Sequence, residues 1–107
     1  MHAEPDHLFA ALADPTRRRL FERLSREGER SVRALTAGTT ISQPAVSKHL
    51  NVLKQAGLVR DRRVGRETRY SAHPKALRPI VDWLGVYAAF WSQKLDKLED
   101  LLDRMDQ

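Results

Sequence analysis

The sequence predicts a mainly α-helical fold with one small β-hairpin, and three patterns in its 107 residues support this prediction. Apolar residues recur at helical spacing over most of the chain. Between residues 58 and 72, two β-prone stretches flank Gly65-Arg66, a two-residue loop typical of a hairpin. From residue 75 to about residue 105, apolar residues repeat every seven positions, which indicates one long helix. The length fits a single domain, and we expect one over residues 1–107.

The first third of the chain predicts two helices that meet at Asp14-Pro15. A first short helix contains Leu8, Phe9, Ala11 and Leu12. Asp14 is a preferred N-cap, Pro15 suits the first turn of the second helix, and that helix buries Leu20, Phe21 and Leu24. Arginines 17 to 19 lie in its first turns, where the helix dipole disfavours cations. A phosphate contact, a salt bridge to an acidic neighbour and a solvated surface are all open for them.

Segment 31–56 predicts two further short helices joined by a tight connection. Ser31 caps the first, which ends at Gly38. Ser42 caps the second, Pro44 fits only its first turn, and Gly57 supplies a left-handed stop. The apolar face of the second helix consists of Val46, Leu50 and Leu53, and its polar face consists of Gln43, Pro44, Ser47, Lys48, Asn51 and Gln55. One face of this helix packs and the other is free for recognition.

The two-residue loop fixes the register of the hairpin. The predicted cross-strand pairs are Arg63 with Thr68, Asp61 with Tyr70, and Val59 with Ala72. The other face then carries Arg60, Arg62 and Arg69, together with Glu67 and Ser71. These elements predict a winged helix-turn-helix, with the helix-turn-helix at about 31–56, the wing at about 58–72 and a C-terminal helix at about 75–105. In that fold the second helix enters the DNA major groove and the wing approaches the backbone.

The charge distribution indicates where a polyanion would bind. The formal net charge is +5. Residues 16–78 hold 16 Lys and Arg against 5 Asp and Glu, whereas residues 1–15 and 79–107 each have a net charge of −3. Phosphate neutralisation favours binding of a nucleic acid to the central segment. A basic solvated surface is the alternative.

Several classes of protein are disfavoured by composition. Cysteine is absent, so this chain has no disulfide, thiolate metal site or thiol switch. The first residues lack a basic start and an apolar run, and the longest apolar stretch is the nine residues 83–91. A membrane helix needs about 20 apolar residues. We therefore expect a cytoplasmic protein without a membrane partner.

The C-terminal helix has more apolar surface than a 107-residue monomer is expected to cover. Four of the seven aromatic residues lie between Trp83 and Trp91, and aromatics are enriched at protein interfaces. We predict a homodimer, with the first helix contributing. The predicted interface residues are Leu8, Leu84, Tyr87, Trp91, Leu95, Leu98 and Leu102. The alternative is that this helix folds over the core of its own domain.

Side-chain chemistry assigns the predicted DNA contacts. Gln43 suits adenine, Lys48 reaches guanine O6 and N7, and Ser47 pairs with several bases. Pro44 and Ala45 offer apolar contact to a thymine methyl group. The predicted backbone contacts are Ser42, His49, Lys54, Arg62, Arg66 and Arg69. For each of these residues a solvated or packed side chain is the alternative.

Neither a metal site nor a catalytic site is expected. No two of His2, His7, His49 and His73 are three or four residues apart on one helix, so we predict no metal and no cofactor. Ser47 and His49 are two residues apart on one helix and point in different directions. No Gly-rich phosphate loop or nucleophile elbow occurs. We predict that the protein is not an enzyme.

The chain resembles the arsenic-repressor (ArsR/SmtB) family of winged-helix transcription regulators. The matching segments are Leu12–Arg18, Ile41–Leu50, Val52-Leu53, Ala56–Val59, Gly65-Arg66 and Tyr70, within an overlap from about Leu8 to Leu102. The resemblance implies dimers that place paired recognition helices in successive major grooves of a partly palindromic operator. It further implies repression of a promoter until an inducer lowers the affinity for DNA.

The chain departs from the metal-sensing members of this family. Members that sense arsenite or soft metals carry a cysteine pair where this chain has Ser31-Val32-Arg33. Members that sense zinc or related ions use histidine and carboxylates of the C-terminal helix, and in this chain that helix has no histidine. The chain therefore resembles the non-metal branch. A small apolar inducer entering between the aromatic helix and the core is one option, and repression without an inducer is another. Rival functions are a winged-helix protein-interaction module and a nonspecific architectural DNA binder.

Overall fold

The structure, a computed structural model, describes residues 5–106 and has the predicted order of elements. The helices are α1 Pro5–Ala13, α2 Pro15–Glu27, α3 Val32–Ala37, α4 Gln43–Gln55 and α5 Arg78–Met105. The strands are β1 Arg30–Ser31, β2 Val59–Val64 and β3 Glu67–Ala72, and a 3-10 turn covers Pro74–Leu77. The helix pair α3–α4 followed by the β2–β3 hairpin confirms the predicted winged helix-turn-helix.

Polar side chains begin three of the helices as predicted. Asp14 accepts a hydrogen bond from the Arg17 amide at 2.9 Å, and Ser31 Oγ accepts one from the Ala34 amide at 3.1 Å. Ser42 Oγ accepts from the Ala45 amide at 3.3 Å. Each bond satisfies an amide that has no partner inside its own helix. These caps determine where α2, α3 and α4 start.

Helix α4 ends at the predicted glycine. Gly57 has φ +82°, a conformation that residues with a Cβ rarely adopt. Its amide donates to the Lys54 carbonyl at 2.9 Å, and the Leu58 amide donates to the Leu53 carbonyl at 3.0 Å. This pair of bonds is a Schellman motif. The chain therefore turns sharply into β2 and places the hairpin directly beside α4.

One apolar core holds the helix-turn-helix and the base of the wing together. Its buried residues are Leu8, Ala11, Leu20, Phe21, Leu24, Leu35, Val46, Leu50, Leu53, Leu58, Val59 and Tyr70. The predicted apolar faces of α2 and α4 are all in this set. Because Val46, Leu50 and Leu53 are completely buried, α4 is fixed in rotation about its own axis. Its opposite face is consequently presented to solvent.

The hairpin has the predicted register, and the sheet has one strand more than predicted. Arg63 pairs with Thr68, Asp61 with Tyr70, and Val59 with Ala72. The two-residue strand β1 pairs with β3, placing Arg30 opposite Tyr70 and Ser31 opposite Arg69. The strand order is β1-β3-β2, with both pairs antiparallel. Strand β1 ties the segment before α3 to the base of the wing.

Arginines 17 and 18 have a role that the sequence did not indicate. Arg17 donates through Nε to the Ala11 carbonyl at 2.6 Å and through Nη2 to that of Ala10 at 3.1 Å. Arg18 Nη1 donates to the carbonyls of Leu12 at 2.7 Å and Ala13 at 3.0 Å. These are the last four carbonyls of α1, which have no partner inside that helix. Both guanidinium groups therefore cap the negative end of α1.

Helix α5 begins later than predicted and projects from the core. Pro79 has no amide hydrogen and so fits only the first turn, which moves the α-helical start from Lys75 to Arg78. The radius of gyration is 19.0 Å, against about 13 Å for a compact domain of this length. No described residue of α5 is buried. The alternative in which this helix covers its own core is therefore wrong.

The junction between α1 and α5 corrects one predicted interface residue. Leu8 is only 1% exposed because it packs in the core of its own chain, so it presents no surface to a partner. Its neighbour Phe9 is 39% exposed and meets Trp83 edge to face, with ring centroids 5.3 Å apart. Phe9 therefore takes the outward position predicted for Leu8.

In the described part of the chain, no helix is long and apolar enough to cross a membrane.

Candidate nucleic-acid interface

The polar face of α4 is presented as predicted. Gln43, Pro44, Ser47 and Lys48 are exposed, whereas Ala45 is half-buried and its amide is engaged by Ser42. Gln43, Ser47 and Lys48 form no side-chain hydrogen bond with another residue of 5–106. Their donors and acceptors are therefore available to a ligand. The side chains at positions 43, 47 and 48 lie on one side of the helix, so all three can face a DNA groove that the helix enters.

A polar cleft of about 420 Å³ joins this face to the wing tip. It is lined by Ser31, Val32, Arg33, Gln43, Ser47, Arg66, Glu67 and Thr68. Gln43 and Ser47 come from α4, Arg66 comes from the hairpin loop, and Arg33 comes from the first turn of α3. A guanidinium on either side of an amide and a hydroxyl provides donors to both phosphate and base edges. The fold thus combines predicted base-contacting and backbone-contacting residues in one cleft.

Arg33 and Thr68 line the cleft, and the sequence did not indicate them as candidate site residues. The sequence placed Thr68 on the core side of the hairpin, because Thr68 and Tyr70 are two residues apart on one strand and therefore share a face. Near the tip, however, that face has left the core and borders α4 instead. Arg33 follows the capping residue Ser31 by two positions, which directs it outward from α3. Its position after a helix N-cap was the available signal.

The wing arginines differ in what they contact. Arg62 donates to both carboxylate oxygens of Glu29, from Nε at 2.7 Å and from Nη2 at 2.8 Å. Arg69 Nη1 lies 4.0 Å from Glu29 Oε1, and Arg69 Nη2 lies 3.3 Å from Glu67 Oε2. Arg66 at the tip is exposed and pairs with no other residue of the described chain. The hydrogen bonds from Arg62 hold the pKa of Glu29 below its ordinary value, and they raise the pKa of Arg62.

The other predicted backbone contacts also have partners within the chain. Lys54 Nζ is 3.1 Å from Asp61 Oδ2, and Ser42 Oγ is engaged as the N-cap of α4. His49 Nδ1 is 3.8 Å from Asp14 Oδ2. The pKa of Asp14 is lowered, first by the hydrogen bond from the Arg17 amide and further by the nearby His49. Contacts between these residues and DNA stay predictions.

The segment Ser31-Val32-Arg33 is occupied by structural roles. Ser31 Oγ caps α3, Val32 packs against the core, and Arg33 lines the cleft beside α4. Within residues 5–106, no group of three histidine or carboxylate side chains is arranged to hold a metal ion. The cleft is lined by amide, hydroxyl and guanidinium groups and by the Glu67 carboxylate. The amide, hydroxyl and guanidinium groups suit hydrogen bonds to base edges and phosphates.

These features define the class of protein. A capped recognition helix, a preceding short helix and an arginine-bearing hairpin make a winged helix-turn-helix protein. Residues 12–62 match the family model described as a helix-turn-helix domain. This segment includes α2, α3, α4 and the start of β2.

Curated relatives include transcriptional regulators. An HTH-type transcriptional regulator of Mycobacterium tuberculosis is 39% identical over 102 residues, which are 95% of this chain and 92% of that protein. An arsenic resistance transcriptional regulator of Pseudomonas putida is 44% identical over 71 residues. That match covers 66% of this chain and 56% of the relative, so this chain spans about half the length of that protein.

Solved structures share the fold. An ArsR-like transcriptional regulator from Rhodococcus sp. RHA1 has a TM-score of 0.68 and 34% identity, covering 90% of each chain. A homodimeric winged helix-turn-helix DNA-binding domain from Mycobacterium bovis has a TM-score of 0.63 and 29% identity. That similarity covers 78% of this chain and 77% of the other. The protein described here belongs to the ArsR/SmtB family of winged helix-turn-helix transcriptional regulators.

Proposed function

We propose that the protein is a homodimeric transcriptional repressor that binds a partly palindromic operator in double-stranded DNA. The observation that carries this proposal is the exposed polar face of α4, which opens with Arg33 and Arg66 into a single cleft. A helix is narrow enough to enter the major groove, where each base pair presents a distinct pattern of donors and acceptors. Gln43, Ser47 and Lys48 have the groups and the reach to contact those patterns. Pro44, also exposed, suits contact with a thymine methyl group.

The electrostatics support the same orientation on DNA. The basic segment 16–78 includes α2, α3, α4 and the wing, whereas residues 79–107 have a net negative charge. Phosphates therefore attract the helix-turn-helix and repel α5. This arrangement keeps α5 on the side away from the duplex. It leaves the apolar surface of α5 available for another contact.

Dimerisation through α5 accounts for that apolar surface. Its exposed large apolar side chains are Val81, Trp83, Leu84, Val86, Tyr87, Phe90, Trp91, Leu95, Leu98, Leu101, Leu102 and Met105. An apolar surface of this extent on a soluble chain is typical of a protein interface. A second copy of α5 offers the same seven-residue repeat and so forms a self-complementary contact. The homodimeric Mycobacterium bovis neighbour supports this choice of partner.

A symmetric dimer determines the form of the operator. Two copies of α4 related by a two-fold axis contact half-sites about one helical turn apart, roughly 34–36 Å along the duplex. The predicted interface residues Leu84, Tyr87, Trp91, Leu95, Leu98 and Leu102 are all exposed in the single chain. They are therefore accessible to the second chain.

The inducer implied by the family resemblance stays a prediction. Beyond Ile80, the described residues of α5 are exposed and do not line a closed cavity against the core. An apolar cavity beside the α5 aromatics therefore requires the second chain as a wall. Adding apolar compounds to the operator complex tests for release, and zinc and arsenite serve as controls. Release by either metal contradicts assignment to the non-metal branch.

Competition binding tests the proposed function. Duplexes are selected from a random pool with the full chain, and the enriched duplex then competes with random duplex of equal length. A sequence-specific repressor requires the enriched duplex to bind at least about a thousandfold more tightly. Gln43→Ala lowers this ratio, whereas Gln55→Ala, the same change at the other end of α4, preserves it. Equal binding of both duplexes supports an architectural DNA binder instead, and no DNA binding supports a protein-interaction module.

A further inference from the structure

A second cleft borders the start of α4. It has a volume of about 260 Å³ and lies between the first turns of α2 and the connection from α3 to α4. Its lining residues are Thr16, Arg19, Leu20, Arg23, Gly38, Thr39, Thr40 and Ile41. Two guanidinium groups and three hydroxyl groups thus surround one space. This cleft shares no lining residue with the cleft at the wing tip.

Arg23 forms a fixed wall of this cleft. Its Nε donates to Glu27 Oε2 at 2.6 Å, and its Nη1 lies 3.4 Å from the carbonyls of both Ala34 and Leu35. These carbonyls belong to the C-terminal turn of α3, which attracts a cation. A methyl group at Gly38 would overlap Arg23 Nη1, so a larger residue there would displace the guanidinium. The position of Arg23 is therefore set before any ligand binds.

Arg19 provides a free charge at the mouth of the cleft. Its neighbours Arg17 and Arg18 cap α1, but Arg19 is exposed and pairs with no other described residue. Thr40 is exposed beside it. The arrangement offers an anion a charge, a hydroxyl group and a preset guanidinium.

We propose that this cleft binds a backbone phosphate of the DNA that α4 contacts. The inference rests on the proposed function. The cleft includes Thr40 and Ile41, which directly precede Ser42, the N-cap of α4. A phosphate beside the groove that α4 enters therefore lies near these residues. When the DNA backbone contacts both this cleft and the wing tip, it holds the start of α4 from two sides.

A salt titration of Arg19→Ala tests this proposal. Arg19→Ala removes one phosphate contact in each half-site, so the slope of log K against log salt for the dimer falls by about 1.8, or about 0.9 per contact. The affinity ratio of wild type to variant therefore falls about 12-fold between 50 and 200 mM salt. The loss is equal on selected and random duplexes, because phosphate contacts carry no sequence information. Arg26→Ala, the same change on the same helix two turns away, leaves the slope at the wild-type value.

A second measurement identifies the phosphate. Single methylphosphonate substitutions are placed at each backbone position of the selected duplex, and each is combined with Arg19→Ala. At one phosphate per half-site, wild type loses affinity and the variant shows no further loss. Thr40→Val weakens binding at that same phosphate and not elsewhere. Circular dichroism and thermal unfolding test whether both variants fold, which we expect because both positions are exposed.

Two results overturn the proposal. One is a salt slope for Arg19→Ala equal to that of Arg26→Ala. The other is additive loss from Arg19→Ala and methylphosphonate at every backbone position. Failure of the proposed function is distinguishable, because it appears as equal affinity of wild type for selected and random duplex. The slope test with random duplex still measures the phosphate contact in that case.

Discussion

Arg62 of β2 forms two parallel hydrogen bonds with the carboxylate of Glu29, at 2.7 and 2.8 Å, across 33 positions of sequence. Glu29 lies just before β1, and β1 joins the sheet by pairing with β3. The ion pair therefore connects the chain before α3 to the far strand of the wing. A carboxylate and a DNA phosphate are alternative partners for the same guanidinium. Since Arg62 is a predicted backbone contact, we expect Glu29 to compete with DNA phosphates for it.

Replacing Glu29 by glutamine is expected to strengthen binding to random duplex DNA. The neutral amide releases Arg62 and lowers the local negative charge beside Arg69, so both become available to phosphates. Each added phosphate contact steepens the salt slope by about 0.9. Fluorescence anisotropy over a range of salt concentrations measures both quantities. Glu22→Gln, an equal charge change on the exposed side of α2, controls for net charge, and identical slopes in the two variants refute the competition.

The same ion pair predicts an acid-dependent loss of stability. The pKa of Glu29 is lowered below its ordinary value of 4.5 in the folded chain by the hydrogen bonds from Arg62. A group with a lowered folded pKa stabilises the protein above its unfolded pKa, and this contribution disappears as pH falls through the folded pKa. The free energy of unfolding of wild type should therefore fall relative to that of Glu29→Gln below about pH 4.5. Parallel stability curves for the two proteins contradict this expectation.

Arg17→Ala is expected to destabilise the fold although Arg17 is not a core residue. The change leaves the Ala11 carbonyl without its donor at 2.6 Å and removes the partner of Ala10. Loss of such bonds to a charged donor costs about 1–3 kcal/mol. Urea unfolding measures the change, with Arg26→Ala expected to remain within about 0.5 kcal/mol of wild type. Equal stability of the two variants would show that the guanidinium cap contributes nothing.

Leu95→Glu is expected to convert the dimer into folded monomers. Leu95 is 56% exposed and touches no core residue of its own chain, so the helix-turn-helix should be unaffected. A carboxylate in an apolar interface is costly because it loses its hydration. Sedimentation at micromolar concentration measures the mass. Gln93→Glu adds the same charge on another side of α5 and should remain dimeric, and a dimeric Leu95→Glu would place the interface elsewhere.

The elements of the fold were predictable wherever local chemistry determines them. The N-caps Asp14, Ser31 and Ser42 and the stop at Gly57 depend on neighbours within four residues. The register of the wing follows from its two-residue loop. Strand β1 was not predictable, because two residues carry no periodicity and their pairing depends on β3 almost 40 positions away.

The candidate site was predictable in its residue types and less so in their pairing. The polar face of α4 follows from helical periodicity alone. That Arg62 contacts Glu29, or that Arg17 and Arg18 cap α1, depends on distances between separate elements. Leu8, predicted at the interface, is buried and Phe9 faces outward, because the rotation of α1 is set by its packing against α2 and α4. The start of α5 was misplaced since the limit imposed by Pro79 was not applied.

Site-directed cleavage of DNA tests the central claim most directly. Because the chain has no cysteine, Ser47→Cys creates a single attachment point for an iron-EDTA reagent on the outer face of α4. The account predicts strong cleavage of the selected duplex from the major groove, in two symmetric clusters about one helical turn apart. Ser92→Cys on α5 provides the matched control and should cleave weakly. Cleavage from position 47 no stronger than from position 92 would contradict the claim that α4 lies in the groove.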